Sequence, residues 1–314
     1  MTPRIHKSTD VGAPILTGLA GSLNDLLIAA LVTGIGTPYG SPWTKEYEDV
    51  ATKVICLRPP AGTRHYLQIK DNGQSTGSFR EAQIRGYVAM TGFNTGTEPF
   101  PTVTQQTNGL CVRKSSTLDG APRAWRIQFD DKTCYLWVEC FDGAGAWDMY
   151  AFGDWLSWKP NNIFASMIIG RPTENTNLHS YTYNGGVRAF PQTATANKIF
   201  IPRDYNGFGT ALEIGVLFDS SACNSVAEIV PGGTGQLYPY PIDNGIIITP
   251  YKLGIANLTY GRTRGLWMPG HAKPLLQDDT FTAMEGALQR DFITQNMLTT
   301  GQVFIETSNT WDTD

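Results

Sequence analysis

The stretch Trp125-Arg-Ile-Gln-Phe-Asp-Asp-Lys-Thr-Cys-Tyr-Leu-Trp-Val-Glu-Cys-Phe141 decides the fold class. Trp125, Ile127 and Phe129 fall on one face and Arg126 and Gln128 on the other, the period-two pattern of a strand. Asp130-Asp131-Lys132 supplies turn chemistry. Cys134, Leu136, Val138 and Cys140 then alternate with Tyr135, Trp137, Glu139 and Phe141. Both faces of this second strand are apolar or aromatic, so it is expected to lie centrally, covered on both sides.

Outward from this hairpin nearly every signal is β. Strands are expected at Val54–Leu57, His65–Lys70, Phe79–Met90 (broken at Gly86), Ile163–Ile169, Lys198–Pro202, Leu212–Phe218, Gly245–Thr249, Leu266–Met268 and Val303–Glu306. Asp71-Asn72-Gly73 reads as the turn between the second and third of these. Thr91–Asn108 and Arg171–Asn197 are long polar stretches that read as exposed loops or arms. They divide the chain into an arm with a helix (1–40), a first β subdomain (41–110), a second carrying an aromatic cluster (111–195), and a C-terminal β subdomain with a tail (196–314). Alternating βαβ units are absent, which excludes a parallel α/β sheet. The expected class is mostly β, with sandwich- or barrel-like subdomains and one short N-terminal amphipathic helix.

That helix is read at Ser22–Thr33. Ser22 is a good N-cap, with Asp25 three residues on. Leu23, Leu26, Leu27, Ala30 and Leu31 form an apolar stripe at i, i+3, i+4, i+7 and i+8. Gly34 and Gly36 end it. A helix of about three turns is not stable alone, so it must dock on a sheet or on a neighbouring chain.

The 314 residues include 17% charged and 11% aromatic ones, with 33 Gly and 19 Pro. The charged share is below the usual quarter. Disorder would need few aromatics and high net charge. A net charge of −4 without a basic run argues against nucleic-acid binding. The longest uninterrupted apolar run, Leu26–Val32, is far too short to span a bilayer, and no secretion signal precedes it. Folding in cytoplasm without membrane contact is therefore expected. The five cysteines, Cys56, Cys111, Cys134, Cys140 and Cys223, read as buried small residues rather than as a disulfide framework.

Catalytic and metal patterns are weak. His6, His65, His179 and His271 stand apart, without metal spacing, and read as surface or loop residues. The acidic pairs Asp130-Asp131 and Asp278-Asp279 could suggest a glycosidase, but the first is explained by its turn. Asp142–Asp148 is short of ligands for a calcium loop and reads as a turn. Neither a cofactor nor a metal is expected. The cluster Trp147, Tyr150, Phe152, Trp155 and Trp158 has three readings: internal packing, an inter-subunit contact, or a glycan platform.

Several segments, in order along the chain, resemble a family of tailed-bacteriophage virion structural proteins. They include Thr9-Asp-Val-Gly-Ala-Pro-Ile-Leu-Thr-Gly-Leu-Ala-Gly-Ser-Leu23, Trp43-Thr-Lys-Glu-Tyr47, Arg85-Gly-Tyr87 with Met90, and Asn94-Thr-Gly-Thr-Glu-Pro-Phe-Pro101. Phe152-Gly-Asp154, Ile169-Gly-Arg171 with Thr173-Glu174-Asn175, Gly265-Leu-Trp267 and Phe304-Ile-Glu-Thr-Ser-Asn-Thr-Trp-Asp312 continue the series. The resemblance implies a non-enzymatic particle component of tail or baseplate. A head decoration or connector protein, or a carbohydrate-binding module contacting host glycans, is the alternative. Expected partners are copies of the chain and neighbouring virion proteins. Leu23, Leu26, Leu27, Leu31, Trp147, Tyr150, Trp155, Trp158 and Trp311 are the interface candidates. The segment before Ser22 and the last residues, Ser308–Asp314, are candidate docking arms.

Overall fold

The computed structural model describes residues 2–37, 42–76, 79–139, 147–172, 198–216, 246, 248–255, 258–269, 275–285, 287–296, 302–308 and 311. The fold is mostly β, with one short helix. Its strands run antiparallel and build three layers around two apolar cores.

The middle layer contains the deciding hairpin. β8 (Trp125–Phe129) and β9 (Thr133–Glu139) pair with Phe129 opposite Cys134. On one side β1 (Arg4–Lys7) completes the edge of β8. On the other follow β10 (Trp147–Asp154), β12 (Ser166–Pro172), β13 (Lys198–Ile201) and β14 (Leu212–Val216). The two-faced reading of β9 holds in detail. Cys134, Leu136 and Val138 enter the first core. Tyr135 and Trp137 enter the second. β10 repeats the device: Tyr150 and Phe152 point one way, Met149 and Ala151 the other.

The first layer comprises β2 (Thr44–Asp49), β3 (Val54–Arg58), β4 (Tyr66–Thr76) and β5 (Phe79–Gly92). The far edge of β5 is shared by β6 (Thr95–Phe100) and β7 (Leu110–Ser115). Three expectations are corrected here. Thr91–Asn108 is not one long loop, because Thr95–Phe100 folds back as a strand on β5. Asp71-Asn72-Gly73 is not a hairpin turn but a bulge inside β4, with Gly73 at φ 78°. Gly86 does not break β5; its missing side chain makes room for the Phe100 ring.

The third layer joins β15 (Ile248–Ile255), β16 (Leu258–Pro269), β17 (Thr280–Glu285), β18 (Leu288–Asn296) and β19 (Gln302–Glu306), with the short β11 (Leu156–Ser157) on β16. Two strands carry the chain between layers. The end of β12 pairs with β7, and the end of β14 pairs with β15. The boundary placed near residue 110 therefore falls at the start of a strand belonging to the first layer. The boundary near 195 lies outside the described residues, as does most of Arg171–Asn197.

The helix, α1 (Ser22–Leu27), continues as one π-helical segment, Ile28–Thr33. Its leucine stripe lies against the chain's own first core. Ser22 is not its cap. Gly21, at φ 88°, takes that position, and the Ser22 hydroxyl turns back to the carbonyls of Thr17 and Leu19. The capping carboxylate comes from the β4 bulge, where Asp71 accepts the Leu23 N–H at 2.9 Å. Lys114 on β7 pairs with that carboxylate, and both side chains are fully enclosed. Burial raises the Asp71 pKa and lowers that of Lys114.

Other ions are also interior. Arg113 meets Glu81, Arg171 meets Asp148, and Arg290 meets Glu306. Arg264 of β16 clasps Asp130 of the hairpin turn through both carboxylate oxygens, at 2.9 and 2.6 Å. That pair ties the third layer to the middle one. The Tyr135 hydroxyl donates to the Arg264 carbonyl and Gln128 to the Glu306 carbonyl, which repeats the connection.

Candidate functional site

A large concavity of the described surface lies where the three layers meet. It encloses about 820 Å³, within the range of ligand sites. β10 delivers Asp154 and Trp155 to its floor, the Ser157–Ile163 segment forms one wall, and Gly62–Thr63 forms another. Asp154 is enclosed and accepts the Thr63 N–H at 2.9 Å and its hydroxyl at 2.6 Å. Gly62, at φ 73°, is needed there because a Cβ would overlap the Asp154 carboxylate. Burial pushes the Asp154 carboxyl up to about 6, opposed by the Thr63 hydrogen bonds. Arg264 and Lys132 stand nearby, but Arg264 is already committed to Asp130.

Hydrolysis by paired carboxylates needs two of them across one cleft. Among the described residues lining this one, Asp154 is the only carboxylate. Asp130 builds the hairpin turn, accepting the N–H groups of Lys132 and Thr133. Asp278 pairs with Lys7 and Arg126, and Asp279 accepts the Leu276 N–H. Among the described residues no group of His, Cys, Asp and Glu is arranged to hold a metal ion. Asp148 is buried against Arg171; Asp142–Ala146 lie outside the described residues.

The cysteine reading holds where it can be followed. Cys56, Cys111 and Cys134 are buried, and burial raises each thiol pKa, to about 12 for Cys56 and Cys134. Cys140, Cys223, His179 and His271 lie outside the described residues. His65 corrects the expectation of a surface residue. It is buried, bonded through Nδ1 to the Ser166 hydroxyl at 2.5 Å, and its pKa is lowered to about 4 by burial. Its neighbours Tyr66, Leu67 and Ile69 were the available signal, since a histidine at the start of a buried strand is itself placed inside.

Most of the interface candidates are turned inward. Leu23, Leu26, Leu27 and Leu31 pack in the first core, together with Tyr150. Trp155 and Trp311 are in the second core, with Trp147 packed at its edge. The hydrophobic effect acts on these side chains within the fold before any partner arrives. The segment before Ser22 is likewise built into the chain's own fold, and of Ser308–Asp314 only Ser308 and Trp311 are among the described residues. Arg4–Lys7 completes β8, Leu16 is fully buried, and the Trp125 indole donates to the Pro14 carbonyl. Trp311 is held by its own chain, its indole donating to the Glu306 carbonyl at 3.0 Å.

Trp158 is the exception, 51% exposed. Ile163 on the cleft wall and Phe208 and Leu258 on neighbouring segments are exposed large apolar residues as well, and with Trp158 they make up an apolar rim of the region. Three contacts hold the contributing segments together. Trp158 N–H donates to the Tyr260 carbonyl, Lys159 donates to the Asn206 carbonyl, and Tyr205 stacks on Tyr260 with ring centres 5.5 Å apart. Ile163 is expected to start a strand that in fact begins at Ser166, and Phe208 and Leu258 are not singled out by sequence, because isolated apolar residues carry no periodic signal. No protein-family model matches the chain, and no curated protein is similar to it.

Proposed function

We propose that this chain is a non-enzymatic structural component of a tailed-bacteriophage particle, in the tail or baseplate. It works by burying surface against copies of itself and neighbouring virion proteins. The observation that carries the assembly part is the rim of Trp158, Ile163, Phe208 and Leu258. Scattered exposed apolar residues need no explanation, but several large ones on segments bonded to one another suggest a contact surface. The particle assignment rests on the ordered sequence resemblance. The single described carboxylate of the cleft, Asp154, held by Thr63, gives no support to paired-carboxylate hydrolysis there. A glycan platform made of Trp155 and Trp158 is not favoured, because Trp155 is only 3% exposed.

The test is oligomeric state and location together. Light scattering after size exclusion is expected to show a concentration-dependent oligomer. Trp158→Ser with Phe208→Ser is expected to shift it to monomer without lowering the unfolding midpoint. Mass spectrometry of separated heads and tails is expected to find the chain in tails. A monomer at all concentrations that no virion fraction contains overturns the proposal. A head location moves it to a decoration or connector role.

A further inference from the structure

The outer face of the first layer holds a second, smaller concavity of about 340 Å³, beside a small apolar cluster of Cys56, Tyr66, Tyr87 and Met90. Its floor is one face of two paired strands. Gln68 sits opposite Arg85 and Lys70 opposite Gln83, with Tyr87 next along β5. The alternate residues Leu67, Ile69 and Ile84 face the first core, so the pleat sorts the polar side chains outward.

The walls hold these groups in place. Asn94, at φ 57°, donates its N–H to the Gln68 side-chain oxygen at 2.6 Å and accepts the Gln68 amide at 3.0 Å. Arg85 Nη2 is clamped by the Gln106 and Thr107 carbonyls. A Cβ on Gly96 would overlap the Tyr87 ring, so the β5–β6 turn closes over that ring only because residue 96 is glycine. The enclosed Arg85 Nε has no hydrogen-bond partner among the described residues. Neither does any partner there hold Lys70 Nζ, the Gln83 amide or the Tyr87 hydroxyl. Lys70 and Arg85 are the charges lining this site, and no described carboxylate lines it.

We propose that this concavity binds a carboxylate-bearing sugar residue. Lys70 and Arg85 take the carboxylate; Gln83, Asn94 and Tyr87 take ring hydroxyls. With Nη2 spent on two carbonyls, Arg85 offers its Nη1 together with Lys70 Nζ, and charge-assisted donors suit a carboxylate. Side-chain amides both donate and accept, as a hydroxylated ring requires. A peptide strand has nowhere to add, because β5 is already paired with β4 on one edge and with β6 and β7 on the other. The proposal is independent of where in a particle the chain resides.

The experiment screens the full chain against an array of uronate- and sialate-bearing oligosaccharides. The best binder is then titrated by calorimetry beside its carboxyl-reduced counterpart. Inorganic phosphate and an Asp/Glu-rich peptide are titrated as competitors. The carboxyl-reduced sugar is expected to bind at least tenfold more weakly. Lys70→Gln, Tyr87→Phe and Arg85→Gln are each expected to weaken the acidic sugar by a similar factor. Lys70→Gln and Tyr87→Phe break no internal hydrogen bond, so their unfolding midpoints should match the parent and separate lost binding from lost folding. No acidic binder on the array, equal binding of the reduced sugar, or unchanged binding by Lys70→Gln overturns the proposal. Displacement by the peptide at lower concentration than by free sugar reassigns the site to a protein partner and also overturns it.

Discussion

Asp130→Asn tests whether the layers are locked by the ion pair at the hairpin turn. The substitution keeps the shape of the side chain and an oxygen for the Lys132 and Thr133 N–H groups. It removes the negative charge opposite Arg264, whose side chain is 1% exposed. An enclosed guanidinium without its counter-charge costs about 3–5 kcal/mol. Thr133 still offers its hydroxyl to Arg264 at 2.8 Å, so the lower end of that range is expected. Arg264→Met strands the other partner and should cost a similar amount, while its stem keeps the packing beside Trp311. The double variant removes both charges, so it should lose less than the two singles combined, by at least about 2 kcal/mol. Urea unfolding followed by tryptophan fluorescence measures all four proteins. Additive losses within about 0.5 kcal/mol, or either single costing under about 1 kcal/mol, would refute the reasoning.

Asp154 predicts a pH dependence. An unfolded aspartate titrates near 3.9, while the folded one titrates at about 6. Below both values each state holds its proton and the group contributes no difference. As pH rises from about 4 to about 6 the unfolded chain ionises first, so stability falls, by about 3 kcal/mol in all. The stability of Asp154→Asn relative to the parent should therefore improve by that amount between pH 4 and pH 8; a flat difference contradicts the assignment. Gly265, at φ 63°, has no room for a Cβ beside the Trp311 indole. Gly265→Ala is expected to cost about 2–4 kcal/mol, from overpacking and left-handed strain, and to expose the C-terminal segment to carboxypeptidase; unchanged resistance to cleavage would show that Trp311 does not anchor it. Asp71→Ala strips the helix cap and strands Lys114, at about 3–5 kcal/mol. Hydrogen exchange should quicken at Leu23 first, and uniform quickening across the protein would contradict a local cap.

The fold class was legible because β9 carries apolar residues on both faces, and only a strand between two cores does so. The same rule applied to Trp147–Asp154 reads it as a second such strand rather than as a surface cluster. What escaped was of two kinds. β2 (Thr-Lys-Glu-Tyr-Glu-Asp) is mostly exposed, so no core imposes alternation on it. The other kind is long-range. Arg264 and Asp130 are 134 residues apart in the chain, and the helix cap at Asp71 is 48 residues from Leu23. Local spacing carries no trace of either. The candidate site suffered likewise: its exposed apolar residues come from two loops and the start of β16, and the cleft aspartate is enclosed against Thr63, 91 residues away in the chain.

The low charge content takes on a further meaning once the ions are located. Arg113, Glu81, Lys114, Asp71, Arg171, Asp148, Arg264, Asp130, Arg290 and Glu306 are all enclosed, so part of the sequence's small charge complement is placed inside the fold. Buried pairs add little net stability, since desolvation offsets most of the attraction. Apolar layers packed face to face could slide or repack at small cost, because similar side chains substitute for one another. A clasp such as Arg264 on Asp130 admits only one alignment, because any slip strands two charges. On the proposed assembly role, a fixed surface requires that alignment more than it requires extra stability. Trp158, Ile163 and Phe208 are left outside, where on the proposed role apolar contact between copies would cover them.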